Sequence, residues 1–195
     1  MANLDYKTLN LSVSKMKNIR SAALEIAESK MQDSKKELLE TFSSNEVTKE
    51  IEAGANSGNI SGTLGGYGNL FSFIGFPDGL DPISPVKNLI NKIRVLKKPY
   101  VRQQNNGSLI SFNINAPLLS DFENETPMPW ARGRSWLTGI EKGISGLGYF
   151  LSRSGDGRSS GGQQANKKIR QLSFKNVSYF SRMYSDFFKK LARTR

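Results

Sequence analysis

The clearest pattern in the sequence is a helical stripe of apolar positions that runs from Ser14 to about Phe42. Steps of three and four residues place these positions on one face of an amphipathic helix, and no Gly or Pro interrupts the run. At 1.5 Å per residue, a helix of roughly 28 residues would be about 42 Å long, more than a compact domain of this size needs. The stripe consists of Met16, Ile19, Ala23, Ile26, Ala27, Met31, Leu38, Leu39 and Phe42.

A shorter helical pattern over Val47–Ala53 ends at Gly54 and is followed by a polar, glycine-containing loop. The segment Leu64–Phe76 then combines glycines with aromatic residues. Its glycines lack the spacing and the following Lys of a phosphate-binding loop, so we interpret it as a segment that packs against the long helix or a neighbouring subunit. The packing or interface candidates in it are Tyr67, Leu70, Phe71, Phe73, Ile74 and Phe76.

A third helix is predicted to start at Ser84–Pro85, because Ser is a frequent N-cap and Pro fits the first helical position. Its apolar stripe continues to Lys97–Lys98, and Pro99 blocks further helix. Beyond it, Asn106–Gly107 lies between two strand-like runs and predicts a β-hairpin. Alternation in the second run places Ile110, Phe112 and Ile114 on one face.

The remainder of the chain alternates predicted loops with short elements. Three prolines favour a loop over 116–135, which we expect Trp130 to pin, and a Gly/Ser-rich tip occupies about 154–166. Short elements are predicted as a helix over 135–143 and strands over 147–153 and 168–174. A closing amphipathic helix carries Val177, Phe180, Tyr184, Phe187, Phe188 and Leu191 on its apolar face.

These elements predict one α+β domain over residues 1–195. The long N-terminal helix should pack on a small antiparallel sheet, and a basic amphipathic helix should lie at the C-terminal end. Extended loops are expected at about 52–66, 116–135 and 154–166.

Composition removes most catalytic chemistries. The chain has no Cys and no His, so disulfides, His or Cys zinc sites, Ser-His-Asp triads and Cys-His dyads are all excluded. The acidic clusters Asp78/Asp81 and Asp121/Glu123/Glu125 lie in predicted loops without the spacing of a known metal loop. We therefore expect no enzyme activity, no metal site and no cofactor.

The net charge of +11 is concentrated in one part of the chain. Residues 131–195 hold 14 Lys or Arg against 3 Asp or Glu, whereas the preceding 130 residues are neutral overall. Such a segment is either a solvated basic face or a surface directed at DNA or an acidic protein. Aromatic residues between the cations, among them Trp130 and Trp136, suit packing or base stacking. The DNA- or acid-facing candidates are Arg132, Arg134, Arg153, Arg158, Lys167, Lys168 and Arg170.

No apolar run approaches the roughly 18 residues of a membrane span, and no signal-peptide pattern is visible at the N-terminus. We therefore expect a soluble chain without a membrane partner, and the absence of Cys fits both a cytosolic origin and an external particle, so the compartment stays open.

Two stretches resemble small virion proteins of tailed bacteriophages, in the neck or tail-completion class. The first runs from Val47–Ile51 through Leu64–Phe76 to Asp81–Pro–Ile83, after the long helix. The second is Pro129–Trp–Ala–Arg–Gly–Arg–Ser–Trp136, continuing through Gly143–Phe150 to the Ser/Gly/Arg tip. The long basic C-terminal segment departs from the compact members of that class.

The resemblance implies a structural protein that forms a homo-oligomeric ring at the head-tail junction of a virion. Its implied partners are copies of itself, other neck, portal-adaptor or tail proteins, and packaged DNA passing through a channel. Assembly would take place in the host cytoplasm. The alternative from the residues alone is a non-specific nucleic-acid-binding protein that acts through its basic C-terminal third.

Overall fold

A computed structural model describes residues 16–64, 68–104, 107–129, 131–142, 150–153, 162–164 and 178–193. It confirms an α+β fold with a long N-terminal helix, a small antiparallel sheet and a C-terminal helix. The helices are α1 (Lys17–Ser44), α2 (Glu46–Glu52), α3 (Leu70–Ile74), α4 (Ser84–Asn91), α5 (Leu119–Glu125), α6 (Trp136–Lys142) and α7 (Phe180–Arg193). The strands are β1 (Arg94–Gln104), β2 (Gly107–Asn115), β3 (Pro127–Met128), β4 (Ala131–Ser135), β5 (Phe150–Arg153) and β6 (Gly162–Gln164), which form three antiparallel pairs.

Helix α1 supports the fold with only part of its length. Its buried residues are Met31, Leu38 and Phe42, all in its C-terminal half. The helix as a whole contacts α7, α4 and both strands of the β1–β2 hairpin. Lys35 Nζ also donates to the carbonyl oxygens of Asn91 and Ile93, at 3.4 Å each, where α4 gives way to β1.

A single residue separates α1 from α2. Asn45 is extended, with ψ 137°, and its side-chain oxygen accepts a hydrogen bond of 3.0 Å from the Val47 amide. This is the N-cap arrangement that Asn favours, and it lets the chain turn at once into a second helix. Val47 and Ile51 of α2 are fully buried beside Phe42 in the same core.

The helix predicted from Ser84 to Lys97–Lys98 is wrong in its second half. α4 ends at Asn91 and β1 begins at Arg94. Ile90, Ile93 and Leu96 satisfy helical spacing, but pairing with β2 overrides that local preference. The N-terminal prediction also shifts, because Asp81 rather than Ser84 supplies the cap: its Oδ1 accepts from the amides of Ile83 and Ser84 at 3.0 Å each.

The predicted hairpin is confirmed. β1 and β2 pair from Arg94↔Asn115 to Gln104↔Gly107. Between Val95 and Pro99 the register shifts by two residues relative to β2, which forms a bulge in β1. A bulge accommodates Pro99, which has no N–H to give to the ladder. Ile110, Phe112 and Ile114 lie on one face and are half-buried, as their alternation predicted.

The loop predicted over 116–135 is corrected to a helix and two short strands, α5, β3 and β4. Asp121 in the first turn of α5 accepts a 2.7 Å hydrogen bond from the Leu118 amide, which is half of a capping box. Phe122 then anchors the helix in the core. The prolines lie where they are tolerated: Pro117 precedes the helix, and Pro127 begins a strand.

The other loop and element predictions have mixed outcomes. Residues 53–64 form neither helix nor strand, as expected for the loop at about 52–66, although Glu52 belongs to α2. The predicted helix over 135–143 is confirmed as α6, and β5 falls within the strand predicted over 147–153. β6 replaces part of the loop predicted over 154–166. The rest of that loop and the strand predicted over 168–174 lie outside the described residues.

Candidate interaction surfaces

The C-terminal helix is fixed to the core by an aromatic seam. The Phe180 ring lies 5.7 Å from that of Phe42, edge to face, and 4.6 Å from that of Phe122. Tyr184 stacks at 5.5 Å on Phe180 and meets Phe122 at 5.1 Å. Offset and edge-to-face pairs of this kind add about 0.5–1.5 kcal/mol each beyond their buried area. The basic helix at the C-terminal end is therefore a core element along its apolar face.

Two tyrosine hydroxyls reinforce this seam. Tyr179 OH and Thr48 Oγ1 share a buried hydrogen bond of 2.5 Å across 131 residues of sequence. Burial raises the pKa of Tyr179 far above its usual value. Tyr184 OH donates to the carbonyl oxygen of Pro117 at 2.5 Å, and burial, helped by the charge of Asp121, raises its pKa to about 12. Both hydroxyls therefore stay protonated and bind the C-terminal helix to distant segments.

A buried carboxylate organises the glycine-containing loop. Glu50 of α2 is fully buried, and its two oxygens accept hydrogen bonds from the Leu70 amide at 2.7 Å and the Ser61 amide at 2.6 Å. Asn69 completes the arrangement: its Nδ2 donates at 2.8 Å to the carbonyl oxygens of Ala55 and Ser57. Since both acceptor oxygens bind backbone amides of this chain, Glu50 is a structural residue.

The aromatic segment around α3 is largely buried, but its partners differ from the prediction. α3 packs mainly against α2 and β5, rather than against the long helix. Gly75 ends it in the left-handed conformation with φ 81°, which suits glycine. Phe76 then meets Trp136 edge to face at 5.9 Å.

Six of the eight predicted packing candidates lie within the described residues. Leu70, Phe71, Ile74, Phe76 and Trp136 are buried within this chain, so a single subunit accounts for their apolar character. Phe73 is only half-buried, although it contacts the core. Tyr67 and Trp130 lie outside the described residues.

Of the seven predicted basic candidates, Arg134 has a side chain that the structure describes. Arg134 on β4 is exposed beside a groove of about 540 Å³ that Glu123 and Lys142 also line. The backbones of Arg132 and Arg153 belong to β4 and β5. Arg158, Lys167, Lys168 and Arg170 lie outside the described residues.

The N-terminal half of α1 is a surface without a cover among the described residues. Between residues 17 and 30 no side chain is buried, and Met16 and Ile26 expose 56% and 59% of their surface. Ile19, Ala23 and Ala27 lie half-buried on the same stripe. This apolar side is rotated from the core side of α1, because Ile26 lies about 140° around the helix from Met31 at 3.6 residues per turn.

The outer face of the hairpin is a second surface, and the sequence analysis did not single it out. Tyr100 is 68% exposed and Leu109 is 47% exposed there. The exposed cations Lys92, Arg94, Lys97, Lys98 and Arg102 lie on β1 or just before it. A signal was present in the sequence: residues 82–120 contain six Lys or Arg and no Asp or Glu. Averaging charge over the first 130 residues concealed it.

A second groove, and the groups that are absent from the described residues, also bear on which kind of functional site the chain can form. A groove of about 340 Å³ lies between α1 and α7, lined by residues that include Glu37, Arg182 and Lys190. Across the described ranges, no three Asp or Glu side chains come close enough to hold a metal ion. No helix within those ranges is long and apolar enough to cross a membrane.

Comparison of the chain with protein-family models, with curated proteins and with solved structures finds no match.

Proposed function

We propose that the protein is a structural, non-enzymatic component of a tailed-phage virion that forms a homo-oligomeric ring at the head-tail junction. In this role it joins the tail to the DNA-filled capsid, next to other neck, portal-adaptor or tail proteins. The proposal starts from the resemblance of Val47–Phe76 and Pro129–Phe150 to neck and tail-completion proteins.

The observation that carries the proposal is the uncovered half of α1. Among the described residues nothing buries a side chain over the four turns of α1 before Met31, and the exposed apolar residues there offer a ring subunit a surface for contact with its neighbour. Ile26 would lie at the subunit contact, because it is the most exposed apolar residue of α1.

Light scattering coupled to size-exclusion chromatography tests the ring. The parent protein should elute as one defined oligomer, and Ile26→Asp should shift it to monomer because an unpaired charge would enter an apolar contact. Ser21→Asp is the matched control, since it adds the same charge at an exposed position on another face of α1 and should leave the oligomer intact.

Detection of the chain in purified virions tests the location independently. A parent protein that stays monomeric at all concentrations and is absent from particles would contradict the proposal. The alternative function, non-specific nucleic-acid binding through the C-terminal third, draws on the charge of residues 131–195. A monomer whose DNA binding depends on Lys167, Lys168 and Arg170 would favour it.

A further inference from the structure

We propose that the β1–β2 hairpin is a binding element for duplex DNA, with β1 following the phosphate backbone. This inference does not depend on ring formation, and the surface differs from the basic C-terminal third. It starts from the five cations of this surface, Lys92, Arg94, Lys97, Lys98 and Arg102, which are all exposed.

These cations are not paired with acids among the described residues, although Lys92 lines a groove together with Asp121 and Glu125. The described ion pairs involve Lys36, Lys87, Arg182, Lys189 and Lys190, and none of the five hairpin cations forms an ion pair with a described carboxylate. The nearest acids along the chain are Asp81 and Asp121, outside the hairpin on both sides. A run of cations without internal compensation attracts a polyanion.

The shape of the hairpin fits duplex DNA. A two-stranded ribbon is narrow enough to enter the major groove, which is about 12 Å wide. From Arg94 to Arg102 the strand spans roughly 25 Å at about 3.3 Å per residue, which is most of one helical turn of DNA. Cations spread over that distance contact several successive phosphates rather than one.

The bulge in β1 contributes to this surface. The register shift between Val95 and Pro99 adds two residues to β1, so Leu96, Lys97 and Lys98 are all exposed instead of alternating between faces. The two adjacent lysines are thereby presented together. On β2 the side chains of Asn113 and Asn115 are also exposed and can donate hydrogen bonds to phosphate oxygens, whereas the Ser111 hydroxyl already donates to the Tyr100 carbonyl oxygen at 3.2 Å.

Binding of the full chain to a fluorescein-labelled duplex of mixed sequence, measured by anisotropy at several salt concentrations, tests the inference. The variant Lys97→Gln/Lys98→Gln/Arg102→Gln should weaken binding at least tenfold at about 0.1 M salt. It should also flatten the slope of log K against log salt by about one unit for each phosphate that the variant no longer neutralises. Its melting temperature should match that of the parent, because all three side chains are exposed.

The matched control is Lys30→Gln/Lys36→Gln/Lys49→Gln, which removes the same charge from exposed positions on α1 and α2. Equal losses of affinity in the two triple variants would overturn the inference, because only net charge would then matter. An unchanged slope in the hairpin variant would overturn it as well. Tighter binding to single-stranded DNA that Tyr100→Ala abolishes would replace the duplex with a base-stacking single strand.

Discussion

The two halves of α1 both carry apolar residues but lie in opposite environments. In the C-terminal half, Phe42 is fully buried and its ring contacts Tyr179 and Phe180 of the C-terminal region. In the N-terminal half, Ile26 exposes more than half of its surface. Ile26 lies about 160° around the helix from Phe42, and burial depends on which side of the helix a distant segment reaches. One helix thus serves as a core element at one end and, among the described residues, as an exposed surface at the other.

The largest difference in stability should appear when one apolar residue in each half of α1 is replaced by Ala. Phe42→Ala should lower the free energy of unfolding by about 3–5 kcal/mol, because it opens a cavity where α1, α2 and α7 meet. Ile26→Ala should change it by less than about 0.5 kcal/mol in the monomer. Urea denaturation at low protein concentration measures both. Similar losses of stability would mean that the exposed half is covered within one subunit.

Within the packed region, Glu50→Gln should destabilise by about 1–3 kcal/mol. The amide keeps the shape of the carboxylate but replaces one acceptor with a donor, so the Leu70 or the Ser61 amide loses its partner. Glu52→Gln is the matched control on the same helix, because Glu52 makes only a half-exposed ion pair with Lys87. Chemical denaturation of both variants separates the buried role from a general charge effect, and equal destabilisation would contradict it.

The hydrogen bond between Thr48 and Tyr179 should contribute about 1 kcal/mol of coupling. Tyr179→Phe and Thr48→Val should each destabilise, and the double variant should lose less than the sum because both polar partners are then gone. A double-mutant cycle measured by thermal unfolding gives the coupling. Tyr100→Phe, on the exposed hairpin face, should be neutral; additive effects at Thr48 and Tyr179 would show that the two residues are not coupled.

The smallest loss of stability expected outside α1 comes from removing the Asp81 cap before α4. The hydrogen bond from the Ser84 hydroxyl is the main reason that the pKa of Asp81 is lowered. A lowered pKa in the folded state gives stability that is present above the unfolded pKa of about 3.9 and is lost as pH falls through the folded pKa. Asp81→Ala should therefore lower the free energy of unfolding by about 1 kcal/mol at neutral pH, with a shrinking difference below about pH 4.

Asp78→Ala, on the neighbouring exposed turn, is the control for the Asp81 variant. Unfolding followed by circular dichroism from pH 3 to 7 measures both. A constant difference between Asp81→Ala and the parent across that range would show that the carboxylate charge does not contribute to the cap.

Periodicity predicted the long elements and those that turn residues bound in the sequence. The extent of α1, the hairpin and the amphipathic α7 all follow from spacing and turn residues. The α4–β1 boundary did not, because Ile90, Ile93 and Leu96 fit a helix and only pairing with β2 decides against it. Likewise, three prolines suggested a loop where Asp121 and Phe122 stabilise α5.

The surfaces were harder to predict than the fold. The aromatic segment that ends at Phe76 suggested a subunit contact, yet most of its described apolar residues are covered by α2 and by Trp136 of the same chain. Glu50 looks like any helix-surface acid, since nothing local shows that two backbone amides come to it from residues 61 and 70. The basic hairpin face requires the strand register, which shows that its cations share one exposed ribbon.

The hydrogen bond between Thr48 and Tyr179 also has a consequence for synthesis on the ribosome. Phe42 depends on the C-terminal region for part of its burial, because its ring contacts Tyr179 and Phe180, and Thr48 bonds to Tyr179 131 residues later in the chain. At about 5–20 residues per second, translation leaves this apolar surface without its partner for on the order of 10 s. During that interval the nascent chain presents a site for chaperones and for premature association with its sister chains. Slower translation of the middle of the message should therefore lower the yield of soluble protein.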